Sequence, residues 1–281
     1  MKFRFFILTY KAEKRLERCA ESLAKSDAKD CEIFIINNHS DFRMPSCFRG
    51  RSNVKVLNND LRPDWSTGHM SRSWNQSIIF GFENLTDPSC DVVVTIQDDV
   101  VIVPDIVFRL KHLHQERNFN FVQNGHGDAL CSYLPESITK VGIWDERFLF
   151  GLGAADYFYR QLMFNPDGCS INDPQHHRYH NLIYKDNVNK SAYFLVASDR
   201  CEDSTILDEN FNDGGQYWID PDLDITIGSK IIEMKYGFNL SPWSRELIEK
   251  SKTKKINSPS FIQYSYFEKD IPNLSEKGYI A

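Results

Sequence analysis

The segment Thr95-Ile-Gln-Asp-Asp-Val-Val-Ile-Val-Pro-Asp105 sets two adjacent carboxylates, Asp98 and Asp99, between two apolar runs, Val92–Val94 before them and Val100–Val103 after them. Neighbouring carboxylates repel, and burying them without a counter-charge is costly. A divalent cation removes both problems. Mg²⁺ or Mn²⁺ takes hard oxygen ligands, commonly one or two carboxylates together with substrate phosphates. A metal here would tie the chain to a diphosphate and neutralise charge building on a leaving phosphate. The plainer alternative is a cap for a helix starting near Pro104, or a solvated turn.

The elements that must position these acids follow from hydrophobic periodicity. Phe3–Thr9, Ile33–Ile36, Val54–Leu57 and Asp91–Ile96 read as strands, short apolar runs rich in branched and aromatic residues. Between them, Ala12–Lys25 places Leu16, Cys19 and Leu23 on one helical face, and Ser71–Leu85 does the same with Trp74, Ile78, Phe82 and Leu85. Pro104 suits the first turn of a helix burying Ile106, Val107, Leu110 and Leu113. Beyond about residue 120 the pattern loosens. Val141–Phe150 reads as a loop and strand, and Asp156–Met163 as a helix.

Alternating strands and helices predict an α/β fold, a mostly parallel sheet covered on both faces. Ligands of such sheets bind beyond the carboxyl ends of the strands. Thr9-Tyr10, Asn37-Asn38 and Gln97-Asp98-Asp99 all fall at such ends. The acids interrupt the apolar run because the chain leaves the sheet there.

Composition narrows the class. A net charge of −6 argues against a general nucleic-acid binder, which needs clustered Lys and Arg. The seven cysteines are widely spaced with no C-x-x-C pair, so a zinc ribbon or thioredoxin-like motif is absent. The opening Met-Lys-Phe-Arg-Phe-Phe-Ile-Leu is too short and too charged for a signal peptide, and no apolar run reaches membrane-spanning length. A cytoplasmic protein with free thiols is the expectation.

Five segments together resemble the inverting GT-A glycosyltransferases, family 2 especially. Phe6 to Leu23 resembles that family's opening strand, Thr-Tyr turn and helix. Ile35 to Asp41 resembles the second strand and the acidic turn that contacts the base. Asn59 through Gly68 to Asn75 is similar to a loop and helix carrying a spaced Gly and Asn. Ile96-Gln-Asp-Asp-Val100 with Pro104-Asp105 resembles the metal-binding D-x-D segment, and Val141–Phe148 with Asp156 and Arg160 resembles the acceptor-side block. They occur in order over residues 3 to about 180.

The resemblance implies a GT-A (Rossmann-like) catalytic domain over 1–200, with a nucleotide-sugar half at 1–118 and an acceptor half at 119–200. It leaves 201–281 as an extension that shapes the acceptor side or forms a contact in a homo-oligomer. It implies sugar transfer from a UDP-, GDP- or dTDP-linked donor, with Mn²⁺ or Mg²⁺, onto a glycan, lipid-linked or protein acceptor. Thr9 and Tyr10 would hold base and ribose, with Asn37 on the base, Gly68, Arg72 and Asn75 on the donor, and Gln97 with Asp98 beside them. Asp99 would be the direct metal ligand, joined by His176 or His177; neutral imidazole suits Mn²⁺ better than Mg²⁺.

Three positions depart from the family's pattern. Asn37 stands where an Asp is usual, and its amide can both donate and accept, so the base stays open. Gln97 replaces the first acid of the D-x-D. Gly153 and Ala154 stand where acids supply the base, leaving Asp156 in that role, with Asp145 and Glu146 as alternatives. A catalytically silent sugar-nucleotide or glycan binder is therefore the rival reading. A Rossmann dehydrogenase, a sugar-nucleotide pyrophosphorylase and a P-loop enzyme are excluded, because the first turn, Thr9-Tyr-Lys-Ala-Glu, holds no glycine and no G-x-x-x-x-G-K occurs.

Overall fold

The structure is a computed structural model that describes residues 1–10, 13–38, 42–59, 69–124, 128–148, 152–172, 196–198 and 228–231. Its strands are β1 (Phe3–Thr9), β2 (Glu32–Asn37), β3 (Val54–Asn58), β4 (Val92–Gln97), β5 (Val100–Ile102), β6 (Phe121–Asn124), β7 (Leu130–Tyr133), β8 (Cys169–Asn172) and β9 (Val196–Ser198). Its α-helices are α1 (Glu13–Ala24), α2 (His69–Phe82), α3 (Ile106–Lys111), α4 (Pro135–Val141) and α5 (Leu152–Phe164).

Seven strands form one sheet in the order β3-β2-β1-β4-β7-β6-β8. β3, β2, β1 and β4 run parallel, as do β6 and β8, while β7 is antiparallel to both neighbours. The reason is connection length. Residues 125–129 alone join β6 to β7, far short of the dozen or more that a parallel crossover needs. This is the expected α/β sheet flanked by helices, with one reversed strand.

The sheet is buried on both faces. Phe3, Phe5, Ile7, Ile33, Ile35, Val92, Val94 and Ile96 pack with Leu16, Cys19 and Leu23 of α1 and Ile106 and Leu110 of α3. The alternate residues Phe6, Leu8, Phe34, Ile36 and Val93 pack with Trp74, Ile78 and Phe82 of α2 and Tyr157 and Phe158 of α5. The period-2 alternation of side chains sorts one continuous apolar strand into two cores. Gly81 keeps α2 flush against the sheet, since a Cβ there would overlap Val93 Cγ2.

One finding adds to the sequence expectations, and two of them need correction. The apolar run after Asp99 is a separate strand, β5, paired antiparallel with β9 in a second sheet. Pro104 lies before α3 rather than in its first turn, and the helix's first amides are capped from elsewhere: Val107 and Phe108 N–H donate to Asp27 at 2.8 and 2.9 Å. Within 141–148 the chain ends α4 and continues as a loop, with no strand. Of the extension 201–281, only 228–231 fall among the described residues.

His114 is a buried polar link between the π-helical turn His112–Glu116 and β7. Its Nδ1 lies 2.6 Å from the Phe119 carbonyl and its Nε2 2.9 Å from Ser132 Oγ. Of the two neutral tautomers, only the one protonated on Nδ1 satisfies both, donating to the carbonyl and accepting from the hydroxyl. Burial lowers its pKa from 6.5 to about 4, against a small opposing effect of the Phe119 carbonyl. The unfolded chain therefore binds this proton first. The stability tied to the neutral ring is complete above about pH 6.5 and is lost as pH falls toward 4. Urea unfolding should lose about 3 kcal/mol over that window from this group. His114→Asn keeps a donor for Phe119 and should flatten that part of the profile; an unchanged slope would refute the assignment.

Candidate functional site

The register of the parallel strands brings the polar residues to one edge. Thr9 stands beside Asn37, Asn37 beside Asn58, and Leu8 beside Gln97, all at carboxyl ends. Strand ends leave backbone groups that need partners. Here Asn38 N–H donates to the Thr9 carbonyl at 3.1 Å and Asn59 N–H to the Asn37 carbonyl at 2.8 Å. Side-chain amides continue the edge. Asn37 donates to Asn58 Oδ1 at 3.0 Å, Asn59 to Asn38 Oδ1 at 3.0 Å, and Asn38 to Ser73 Oγ of α2 at 3.2 Å. The first turns of α2 are thus fastened to the edge by amides.

Asp98 and Asp99 form the turn between β4 and β5. Thr9 Oγ1 donates to Asp98 Oδ2 at 2.7 Å, which joins the ends of β1 and β4. Burial pushes the Asp98 carboxyl up to about 6; Arg15 opposes this, the Asp99 charge adds to it, and the bonds from Thr9 and the Tyr10 amide oppose it. Asp99 is buried. The helix-cap alternative fails, because Asp27 serves the α3 amides and β5 intervenes. Cys19 sits under the turn, its thiol 3.8 Å from the Gln97 carbonyl. Burial raises its pKa well above the ordinary value, and the charges of Asp98 and Asp99 add to this, so it is no nucleophile.

The described residues contain no group of three or more His, Cys, Asp or Glu that could hold a metal. Two adjacent carboxylates, one with its ionised form penalised by burial and by its neighbour, still fit a Mg²⁺ or Mn²⁺ that takes most of its ligands from water and phosphate. Gly68, His176 and His177 lie outside the described residues.

Sequence reasoning missed two residues here. Arg15 on α1 is the counter-charge nearest in effect to Asp98. Asp128 accepts from Gln97 Nε2 and from Trp74 Nε1, each at 2.6 Å. The available signal for Asp128 was an acid after the glycine-rich Gly125-His126-Gly127, directly before an apolar run.

Asn75 and Arg72 face the 142–148 loop. Asn75 Oδ1 accepts from Trp144 N–H at 2.8 Å, while its Nδ2 donates to the Trp144 carbonyl and to Glu146 Oε1, both at 2.9 Å. Arg72, 49% exposed, donates to Glu146 Oε2 at 3.3 Å. Glu146 is therefore a partly exposed carboxylate of the loop, held against the first turns of α2. Asp145 is engaged instead by Arg147, at 2.9 and 2.5 Å.

Asp156 is enclosed in the fold. Its side chain is 0% exposed and bonds Arg160, 1% exposed, at 2.9 Å one helical turn on. Arg160 also donates to the Val141 carbonyl at 2.9 Å and lies 4.9 Å from the Tyr157 ring centre. A general base must come within hydrogen-bond reach of the proton it removes; this carboxylate reaches none from solvent. Gly153 has a packing role too, since a Cβ there would come 2.9 Å from Ser71 Oγ.

No protein-family model and no curated protein matches the chain. Among solved structures, S. aureus TarS aligns at 12% identity over 92% of this chain and 54% of its own, with a TM-score of 0.47. The mannosyltransferase PcManGT from Pyrobaculum calidifontis, in complex with GDP-Man and Mn²⁺, aligns at 13% identity over 62% of this chain and 54% of its own, TM-score 0.44. Glucosyl-3-phosphoglycerate synthase from Mycobacterium tuberculosis, with Mn²⁺, UDP and glucosyl-3-phosphoglycerate, aligns at 14% identity over 61% of this chain and 69% of its own, TM-score 0.41. The chain spans about half the length of the first two.

The buried Asp156–Arg160 pair makes a stability prediction. Asp156→Asn leaves the guanidinium buried without its counter-charge and should lower the unfolding free energy by about 3–5 kcal/mol. Urea denaturation measures this, and a change below about 1 kcal/mol would return Asp156 to the list of catalytic candidates.

Proposed function

We propose that the chain is a metal-dependent glycosyltransferase of the GT-A type, moving a sugar from a nucleotide diphosphate sugar to an acceptor hydroxyl with inversion. The observation that carries this reading is the acid turn. Asp98 and Asp99 are held at the carboxyl edge of the sheet, Asp98 bonded to Thr9, while the helix they could have capped is capped by Asp27. The likeness of five sequence segments to that family supports the same conclusion.

In this reading Thr9, Tyr10 and Asn37 hold the base and ribose. The Asn37 amide both donates and accepts, so uracil, thymine and guanine all stay admissible. Asp99 with Asp98 would hold Mn²⁺ or Mg²⁺, and His176 or His177 would add a ligand. When bound, the ion supplies charge neutralisation at the diphosphate. Arg72 is exposed enough to turn from Glu146 to the diphosphate, beside Gly68. Asn75 holds the 142–148 loop against α2. With Asp156 buried, the base falls to Glu146, whose carboxylate is partly exposed and oriented by Asn75. The acceptor is a glycan, a lipid-linked sugar or a protein, and 201–281 completes its side or a homo-oligomer contact. Cys19, Cys31, Cys47 and Cys90 are thiols, which suits a reducing, cytoplasmic setting. Among the described residues no helix is long and apolar enough to cross a membrane.

A second reading is binding without turnover. It is favoured by Gly153, which brings no acidic side chain to a position where a Cβ would come 2.9 Å from Ser71 Oγ, and by the buried Asp156.

Calorimetric titration with UDP, GDP and dTDP, with and without Mn²⁺, tests the donor site. One nucleotide should bind at least about 10-fold tighter with metal, an effect that Asp99→Ala abolishes. No binding of any of the three would sink the donor-site reading. With the matching sugar nucleotide, Glu146→Gln should slow hydrolysis or transfer about 100-fold while leaving nucleotide affinity in place. Tight binding with no turnover in wild type would establish the second reading instead.

A further inference from the structure

We propose that Asp128 is a positioning residue: its carboxylate fixes the amide of Gln97 so that an acceptor oxygen, rather than an N–H donor, is turned to the bound nucleotide. The inference rests on reading the carboxyl edge as the donor site, and deepens it.

The polarity argument starts at Trp74. The indole N–H can only donate, and it takes Asp128 Oδ2 at 2.6 Å. Asp128 Oδ1 takes Gln97 Nε2, also at 2.6 Å. A carboxylate accepts and never donates, so Gln97 can face it only with its NH₂ group. The amide oxygen is then turned away from Asp128. An amide's two ends have nearly the same shape, so packing alone would not choose between them. The charge on Asp128 does choose. Asp128 and Gln97 are each 6% exposed and Trp74 is fully buried, so water competes weakly for these bonds.

The backbone brings the two residues together. Gln97 N–H donates to the Ala129 carbonyl at 3.0 Å, so the residue after Asp128 is laddered to β4. Trp74 sits in the core between α2 and the sheet. Three parts of the fold thus meet at one carboxylate: the end of β4, the lead into β7 and the second turn of α2. The arrangement also explains why residue 97 is neutral. A Glu there would set a carboxylate against Asp128, beside Asp98 and Asp99, and like charges at such a distance do not both stay ionised when buried.

Transposing the charge tests the idea. In Asp128→Asn, the Asn oxygen must serve Trp74, so its NH₂ faces Gln97 and the Gln97 amide reverses, turning a donor to the ligand. In Gln97→Glu with Asp128→Asn, the Glu accepts from the Asn and its second oxygen faces the ligand, restoring an acceptor with the same total charge. Binding is read by calorimetry with whichever of UDP, GDP and dTDP binds wild type in Mn²⁺, and folding by circular dichroism. Asp128→Asn should stay folded and bind about 10- to 100-fold more weakly. The double variant should return to within a few-fold of wild type, which a merely structural role for Asp128 would not produce.

Wild-type affinity in Asp128→Asn overturns the proposal, and so does a double variant as weak as the single one. If Asp128→Asn alone does not fold, the double variant decides: folding with restored binding supports the proposal, and failure of either overturns it. If wild type binds none of the nucleotides, the donor-site reading falls and this inference with it. That result differs from binding by wild type that Asp128→Asn leaves untouched.

Discussion

A sheet buried on both faces can carry polar chemistry only at its ends. β1, β2 and β4 put an apolar or sheltered side chain at nearly every position, and alternate residues feed separate cores. An unpaired charge in the middle of these strands would face desolvation with no water in reach. The polar residues therefore collect at the termini, and the two termini are used differently. At the amino edge, Arg4 is tied to Glu32 and Glu83, each at 2.7 Å, and to the Phe80 and Gly81 carbonyls at 3.1 and 2.8 Å. That cluster closes the last turn of α2 and pairs its charges internally. At the carboxyl edge, Asp98 and Asp99 keep like charges together, with Arg15 opposing them.

α2 connects the two ends. Its last turn is held by Arg4, and its first turns carry Arg72, Ser73, Trp74 and Asn75. Their bonds reach four separate places: Glu146, Asn38, Asp128 and the Trp144 backbone. The helix thereby sets the 142–148 loop, the end of β2 and the approach to β7 in fixed relation to one another. Buried polar networks of this kind are costly when one partner is missing and rigid when all are present. Such rigidity keeps the side chains at this edge in fixed relation to one another.

The segment from Val141 to Arg160 shows how a buried charge is held. Trp144 stacks on Tyr157 with ring centres 4.4 Å apart, and Trp144 Nε1 donates to Tyr133 OH at 3.1 Å. Arg160 and Asp156 are sealed beneath these rings. A carboxylate placed there supports the fold, paired with Arg160 and closed off from solvent. Its spacing in the sequence, an acid followed by Arg one turn later, is equally compatible with a catalytic pair, and burial separates the two cases.

The sequence alone determined the first half of the sheet. Phe3–Thr9, the strands near 33–36, 54–57 and 91–96, and the helices between them were legible because apolar periodicity is a local property of the chain. The placement of Thr9, Asn37 and Asp98 at one edge followed, since parallel strands of similar length end together. What lay beyond residue 120 was not legible. β6 and β7 are four-residue strands, too short for a period to establish itself, and β7's direction depends on the length of a turn. Only the tertiary structure decided which acids are held at the edge and which are locked away. Asp128 could not be chosen from the sequence because its partners, Gln97 and Trp74, are 31 and 54 residues distant. The burial of Asp156 was not legible because it follows from how α5 packs into the fold, which spacing alone does not display. Hydrophobic pattern writes the elements locally; the polarity of a site is set by which distant groups folding brings within hydrogen-bond reach.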